Sequence, residues 1–446
     1  MVLNRRGRSV AVLSVVLLLP AAWTVFGAAA AAETALPSLD HTPDGPWPQF
    51  HGPLRDNRST ETGLLKRWPD GGPRLVWKAS GIGHGFATLA IAEGRIYTAG
   101  NIEGQTVITA LDMAGKTLWQ AANGPAYEQS FPGARSTPTV FDGFLYHLNG
   151  DGDVVSLDAK TGNRIWTVDL VERFAGRGIR WGLSESLLVD RGRVFCFPGG
   201  EDVSMAALDG RTGRTIWTCR GEGDKPSYSS PILVEYGGLR QIVTMTSASA
   251  VGVDAESGTL LWRVDRPAPY DVNVSTPVYH DGHVAIFTTW GRGATLLKLE
   301  VDGRRCGVRE VWHTDELDNE HGGVVLVDGY LYGHADGNHK RRHWACLEWT
   351  SGRTMYSVDG LPTKGSGALT YADGMLYLVS DQGTVGLVPA RPSGFEIVSQ
   401  FDLPPGGEGP SWAHPVVCGG RLYLRHGDLL YAYDVKPTQT DKGGRL

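Results

Sequence analysis

Ser156 to Trp166 read SLDAKTGNRIW, with an Asp at 158, a Thr-Gly pair at 161–162 and a Trp at 166. The same order returns in ALDMAGKTLW, ending at Trp119, in ALDGRTGRTIW, ending at Trp217, and in GVDAESGTLLW, ending at Trp262. Weaker copies place Trp312 after a longer turn, Tyr356 in CLEWTSGRTMY and Phe401 in FEIVSQF. Trp77 in PRLVW stands one period ahead of the first copy without the Asp and Gly. Successive aromatics are 42, 47, 51, 45, 50, 44 and 45 residues apart. A period in the forties marks an array of supersecondary units.

Each unit reads as strands. Alternating runs such as GRIYTAG, GFLYHLNG, GYLYGHAD, GMLYLVS and GRLYLRHG follow D-G or G-G turns, and a shorter apolar run precedes each. Four strands of about five residues per unit, without helical periodicity, describe β-propeller blades. The spacing has a physical cause. The Asp ends the third strand and accepts hydrogen bonds from the turn's own N–H groups. The Gly supplies positive φ for the hairpin, and the Trp lands on the outermost strand, against the next blade. Trp77, Trp119, Trp166, Trp217, Trp262 and Trp312 are therefore read as structural docking residues.

Second-strand signatures near Tyr97, Tyr146, Phe195, Val243, Ile286, Tyr332, Tyr377 and Tyr423 predict an all-β fold, an eight-bladed propeller of four-stranded blades. PRLVW has no three strands before it, and the last three strands, ending in LLYAYDV, have no outer one after them. The N-terminal strand at Trp77 is thus expected to close the ring on Leu429 to Asp434 of the C-terminal blade, which removes two exposed edges.

The remaining chain divides around this array. Arg5, Arg6 and Arg8 precede an apolar run and the alanine tract 28–32, the pattern of a secretory signal over residues 1–32, with an uncleaved anchor as the alternative. Residues 33–72 are expected to form an extended segment packed on the propeller, with Trp47 and Phe50 anchored in a groove. The blades run over 73–436 and a flexible tail over 437–446. An exported monomer, periplasmic or extracellular, follows, with no membrane span after cleavage. A formal charge of -6 without basic runs beyond the N-terminus speaks against a nucleic-acid partner. The scattered cysteines 196, 219, 306, 346 and 418 form no C-x-x-C and leave disulfide pairing open.

In a propeller the first strand of each blade lines the axis, so residues at the starts of those strands are the candidate ligand site. They are Arg135, Trp181, Glu185, Tyr228, Asn273, Asn319, His321, Lys364, Trp412 and His414. Their mixture of cation, carboxylate, amide, imidazole and indole suits a polar ligand stacked on an aromatic, although any wet channel is lined by polar groups. His334, His339 and His343 straddle a turn without a recognised ligand spacing and are read as a solvated loop beside Lys340, Arg341 and Arg342.

The LDxxTGxxxW units resemble the repeats of the PQQ propeller superfamily, which holds quinoprotein alcohol dehydrogenases and the outer-membrane-assembly protein BamB. WGLSESLLVD from Trp181, DNEHGGVVLVDGYLYG from Asp318 and WAHPVVCGGRLYLR from Trp412 are similar to an exported bacterial subfamily of such repeats. The resemblance implies two functions. One is a binding or protein-interaction scaffold for a protein, peptide or glycan of the cell envelope, with catalytic residues left unassigned and no cofactor or metal expected. The other is a dehydrogenase of alcohols or sugars holding PQQ with Ca²⁺ on the axis. There Glu185 and Asn273 would be candidate ligands, Asp271 or Asp318 the base, and Trp181 or Trp412 the ring facing the quinone. The adjacent Cys-Cys pair of many such enzymes and their long roofing insertions are absent here. A propeller that binds a small polar ligand without turnover is the third expectation, and the reading leans away from an enzyme.

Overall fold

Asp158 shows how the repeat builds its turn. Its Oδ1 accepts the N–H of Thr161 at 2.7 Å and the Thr161 hydroxyl at 2.8 Å, which brings Gly162 into the left-handed region at φ 74°. Asp209 with Thr212, and Asp254 with Ser257, repeat the arrangement. The flat glycine leaves room for the preceding blade's aromatic. A Cβ on Gly162 would lie 2.7 Å from the Trp119 ring, and Gly115, Gly213, Gly258 and Gly352 are covered in the same way by Trp77, Trp166, Trp217 and Trp312.

The computed structural model describes residues 46–336 and 342–437. They form eight antiparallel sheets of four strands; one gains a fifth strand. From the axis outward, the first blade holds Ala90–Ala92, Arg95–Ile102, Gln105–Asp112 and Thr117–Pro125. The second holds Thr139–Phe141, Phe144–Leu148, Asp153–Asp158 and Arg164–Asp169. The eighth is assembled from both ends of the described chain. Val416–Cys418, Arg421–His426 and Leu429–Asp434 are completed by Arg74–Ala79, with Trp77 opposite Ala432, as the sequence predicts. The expected signal segment lies outside the described residues, as does the tail from 438. No helix among the described residues is long and apolar enough to cross a membrane.

There is no single core. Apolar clusters sit between successive blades: Tyr146, Leu148, Val154 and Trp166 of the second pack on Leu187, Val189, Val194 and Leu208 of the third. Burying one such aromatic contributes about 2–3 kcal/mol. The indole N–H adds a bond to the neighbour's turn, from Trp166 to Gly210 O at 2.8 Å and from Trp312 to Trp349 O at 2.8 Å. Trp262 departs from this pattern. The fifth blade joins its last strands, Gly293–Asp302 and Arg305–Thr314, by a longer hairpin, and Trp262 donates instead to Gln241 Oε1 of its own blade at 2.8 Å. The outer strand carries a register shift just before the aromatic in seven blades, for example between Arg164 and Trp166. The bulge turns the ring inward and the preceding residue outward, so Leu118, Ile165 and Ile216 are exposed. It also spoils the outer edge as a template for further pairing.

The five cysteines are free and buried. His334 and His343 are buried strand residues, which corrects the solvated-loop reading. His334 Nδ1 and Asp336 Oδ1 share a hydrogen bond at 3.0 Å, and His343 Nε2 donates to Glu316 O at 3.0 Å. His339, Lys340 and Arg341 lie outside the described residues.

Candidate functional site

Residues 47–59 form a strap across the axis. Trp47 and Ile91 exchange backbone bonds at the first blade, and Pro48 O accepts from Val140 N at the second. Arg55 donates to Ser186 O at 2.6 Å and Leu187 O at 3.2 Å, beside the third blade's inner strand, Leu188–Asp190. Asn57 bonds Leu369 O and Thr370 Oγ1 of the seventh, where Arg58–Ser59 adds the fifth strand, parallel to Gly367–Ala372. The third and seventh blades face each other in a ring of eight, so the strap spans the axis. Such a path needs sharp reversals. His51, Arg55 and Asn57 take φ of 63°, 54° and 58°, conformations costly for side-chain-bearing residues and held here by buried bonds.

Above the strap lies a cavity of about 420 Å³, lined by Phe50 and His51 of the strap and by residues leading into the inner strand of every blade. Phe86, Phe131, Trp181, Tyr228, Trp290 and Trp412 give it aromatic walls. The His321 and Trp412 rings stack with centroids 4.3 Å apart and planes 8° from parallel, and Phe86 and Phe131 stand 5.0 and 5.1 Å from Trp412. Arg135 lies over Phe86 and Tyr127, and its guanidinium donates to the carbonyls of Gly133, Ser130 and Phe131. Burial pulls its pKa down to about 10, so it remains charged at neutral pH. Glu320 and Asp336 supply carboxylates on another wall. Asp336 accepts the Glu320 N–H at 2.6 Å, and burial, then Glu320, push its carboxyl well above the usual range.

Six of the ten candidate residues line this cavity: Arg135, Trp181, Tyr228, His321, Trp412 and His414. The other four are used elsewhere. Glu185 is buried, accepts the Phe197 N–H at 2.9 Å, and is lifted by burial to about 8. Asn273 is buried and donates to Thr246 O and Arg266 O at 2.8 and 3.0 Å. Asn319 is bonded to Ser275 and to His334 O. Lys364 is exposed and engages Asp381 through its backbone N–H; the neighbouring Gly365 is what reaches the cavity. Sequence reasoning missed Phe50, His51, Phe86, Phe131 and Trp290. Phe86 and Phe131 precede the inner strands of the first two blades, the position already picked out at Trp181 and Trp412, and that placement was the available signal.

The candidate donor set supplies only part of what a calcium-held quinone needs. Burial lifts Glu185 to about 8 and its Oε1 accepts the Phe197 N–H, while the Asn273 N–H groups go to carbonyls and leave its Oδ1 buried without a partner. Asp271 pairs with Lys225, and Asp318 accepts the Gly291 N–H. No three His, Cys, Asp or Glu side chains stand together in a metal-holding group among the described residues.

Comparison with known proteins follows this architecture. BamB of Shewanella oneidensis is 23% identical over 303 residues, 64% of this chain and 70% of that protein. The quinohaemoprotein alcohol dehydrogenase of Comamonas testosteroni is 30% identical over 152 residues, of which this chain spans only 20% of the enzyme's length. Among solved structures, BamB of Moraxella catarrhalis superposes with a TM-score of 0.59 at 13% identity, covering 82% of this chain and 98% of that one. The Comamonas testosteroni enzyme gives 0.62 at 13% identity, covering 91% and 83%. Residues 103–357, more than half of the chain, match the family described as outer membrane protein assembly factor BamB, and the chain belongs to that family.

Proposed function

We propose that this chain is an exported binding propeller of the cell envelope, which holds a ligand on its axis without turning it over. The observation that supports this reading is convergence. Segments from all eight blades and the strap meet at one aromatic cavity of about 420 Å³, within the range of small-molecule sites. Of the groups that would do chemistry, Glu185, Asp271 and Asp318 are engaged inside the protein instead. Residues 1–32 act as the export signal, 33–72 as the strap and its flanks, and 73–436 as the propeller. Trp77, Trp119, Trp166, Trp217 and Trp312 serve as docking residues between blades. The family resemblance also supports a protein partner in envelope assembly.

The test is a thermal-shift screen of the mature chain against a broad small-molecule library, since a ligand that binds only the folded state raises Tm by mass action. The expected result is a saturable shift that Trp412→Ala abolishes. A library-wide absence of any shift would defeat the reading. Dye-linked alcohol oxidation after loading with PQQ and Ca²⁺ would reverse the preference for binding over turnover.

A further inference from the structure

The two buried histidines under the cavity determine one another's protons. His414 Nε2 lies 2.5 Å from the carbonyl oxygen of His321, which can only accept, so this nitrogen carries the hydrogen. Neutral His414 then has a lone pair on Nδ1, 2.9 Å from His51 Nε2, and His51 must donate there. Neutral His51 is left with a lone pair on Nδ1, for which the described residues supply no hydrogen bond. Both rings are neutral at physiological pH, because burial holds His51 well below the usual histidine range and His414 near 4. The ring is 4% exposed, lines the cavity and stacks on Phe50 at 3.8 Å. It is held there by a left-handed backbone at φ 63°, a conformation that costs energy and persists only where its surroundings over-determine it.

We propose that His51 is the specificity-determining acceptor of the axial cavity, and that the cavity selects an uncharged, ring-bearing small molecule with one hydroxyl or N–H donor, of the phenol or indole class. The proposal rests on the binding reading above. The walls favour flat rings, which gain most against Phe86, Trp181 and Trp412. Net charge is disfavoured in both directions. The wall carries both signs, Arg135 and Arg342 as well as Glu320, so a ligand charge of either sign meets a like charge as well as an opposite one. A donor satisfies His51 Nδ1 beside the Phe50 ring, and a ligand without a donor leaves that nitrogen unpaired.

Calorimetric titration of the mature chain with p-cresol against 4-methylanisole, and with indole against N-methylindole, tests this directly. Each donor is expected to bind about tenfold more tightly than its methylated twin, the size of effect that follows from leaving one buried acceptor unmet. Independently of affinity, p-cresol should move the ¹⁵N resonance of His51 Nδ1 toward the hydrogen-bonded range. His51→Phe should equalise the members of each pair, and a folded chain that still separates them tenfold would refute the role of His51. Equal affinities within both pairs in the unaltered chain would overturn the proposal while the binding reading stands. Failure of all four probes, with other compounds active in the library screen, would overturn it too; failure of the whole library would take the binding reading with it. Capture of a tyrosine-containing peptide with no binding of free p-cresol would make the occupant a protein side chain and also overturn it.

Discussion

Gly72 lies directly beneath the ring of Phe401, 329 positions away: a Cβ on this glycine would stand 2.6 Å from Phe401 Cγ. In five other repeats the glycine beneath the aromatic belongs to the turn joining the third and outer strands. The eighth blade has no such turn, because its outer strand comes from the other end of the chain. PDGG at 69–72 restores the missing piece. Gly72→Ala should therefore destabilise by about 2–3 kcal/mol, from a left-handed φ of 97° together with overpacking against Phe401. Gly71→Ala, at φ 84° with open space around its Cβ, should cost only about 1 kcal/mol. Equal losses of Tm in the two variants would remove the contact from the explanation.

Trp166 and Trp119 allow the hydrogen bond to be weighed apart from the packing. Both cover a glycine of the next blade, but only Trp166 donates its indole N–H, to Gly210 O; the Trp119 nitrogen is buried without a partner. Trp166→Ala should cost about 3–5 kcal/mol. Trp166→Phe should cost about 1 kcal/mol more than Trp119→Phe, the net worth of one neutral bond. Denaturant unfolding of the four proteins checks this, and a larger loss for Trp119→Phe would contradict it.

The repeat was legible because its Asp, Gly and Trp each answer a local demand of turn or edge. Blade count, strand order and closure at Trp77 followed from that pattern alone. The bulge before the aromatic in seven blades was not legible, since an apolar residue such as Ile165 beside Trp166 reads equally as packed or exposed. The cavity was half legible. Loops into the inner strands were the right places, yet Glu185 and Asn273 turn between blades while Trp181 and Tyr228 turn to the axis, and loop direction there depends on contacts far away in sequence. Glu185, for instance, faces Arg55 of the strap, 130 residues earlier.

Arg425 was missed for the same reason. This fully buried side chain in the eighth blade donates to the carbonyls of Gly83, Ala87 and Ala99 and to Thr98 Oγ1, all around the first blade, as well as to Gly427 O. It bolts the seam at which the ring closes. Arg425→Met should destabilise by about 3–5 kcal/mol, because several buried acceptors lose their donor at once. Arg425→Lys should recover less than half, since an ammonium cannot reproduce the planar fork. Hydrogen exchange in Arg74–Ala79 should rise selectively; uniform protection across the ring would show that the seam does not depend on Arg425.

Glu185 gives the chain a pH dependence of known sign. Burial raises its carboxyl from 4.5 to about 8, with the Phe197 N–H and Arg55 only partly offsetting the shift. A raised pKa means that the folded state holds the proton more tightly than the unfolded chain. This contribution is complete below pH 4.5 and is lost as pH rises through 8. The buried histidines act in the opposite sense. His147, His334 and His414 are lowered to about 4, so their contribution is complete above 6.5 and lost as pH falls toward 4. Between pH 6.5 and 9 these histidines are neutral in the folded state and contribute equally to both proteins, so Glu185 can be isolated by substitution. Glu185→Gln keeps an oxygen for the Phe197 N–H and has no proton to lose. The variant should gain stability relative to the unaltered chain across that window, by a few kcal/mol at pH 9 and by progressively less toward pH 6.5. Urea unfolding at half-unit steps measures the difference. Parallel curves for the two proteins would mean that Glu185 is ionised in the folded state at neutral pH, against the effect of its burial.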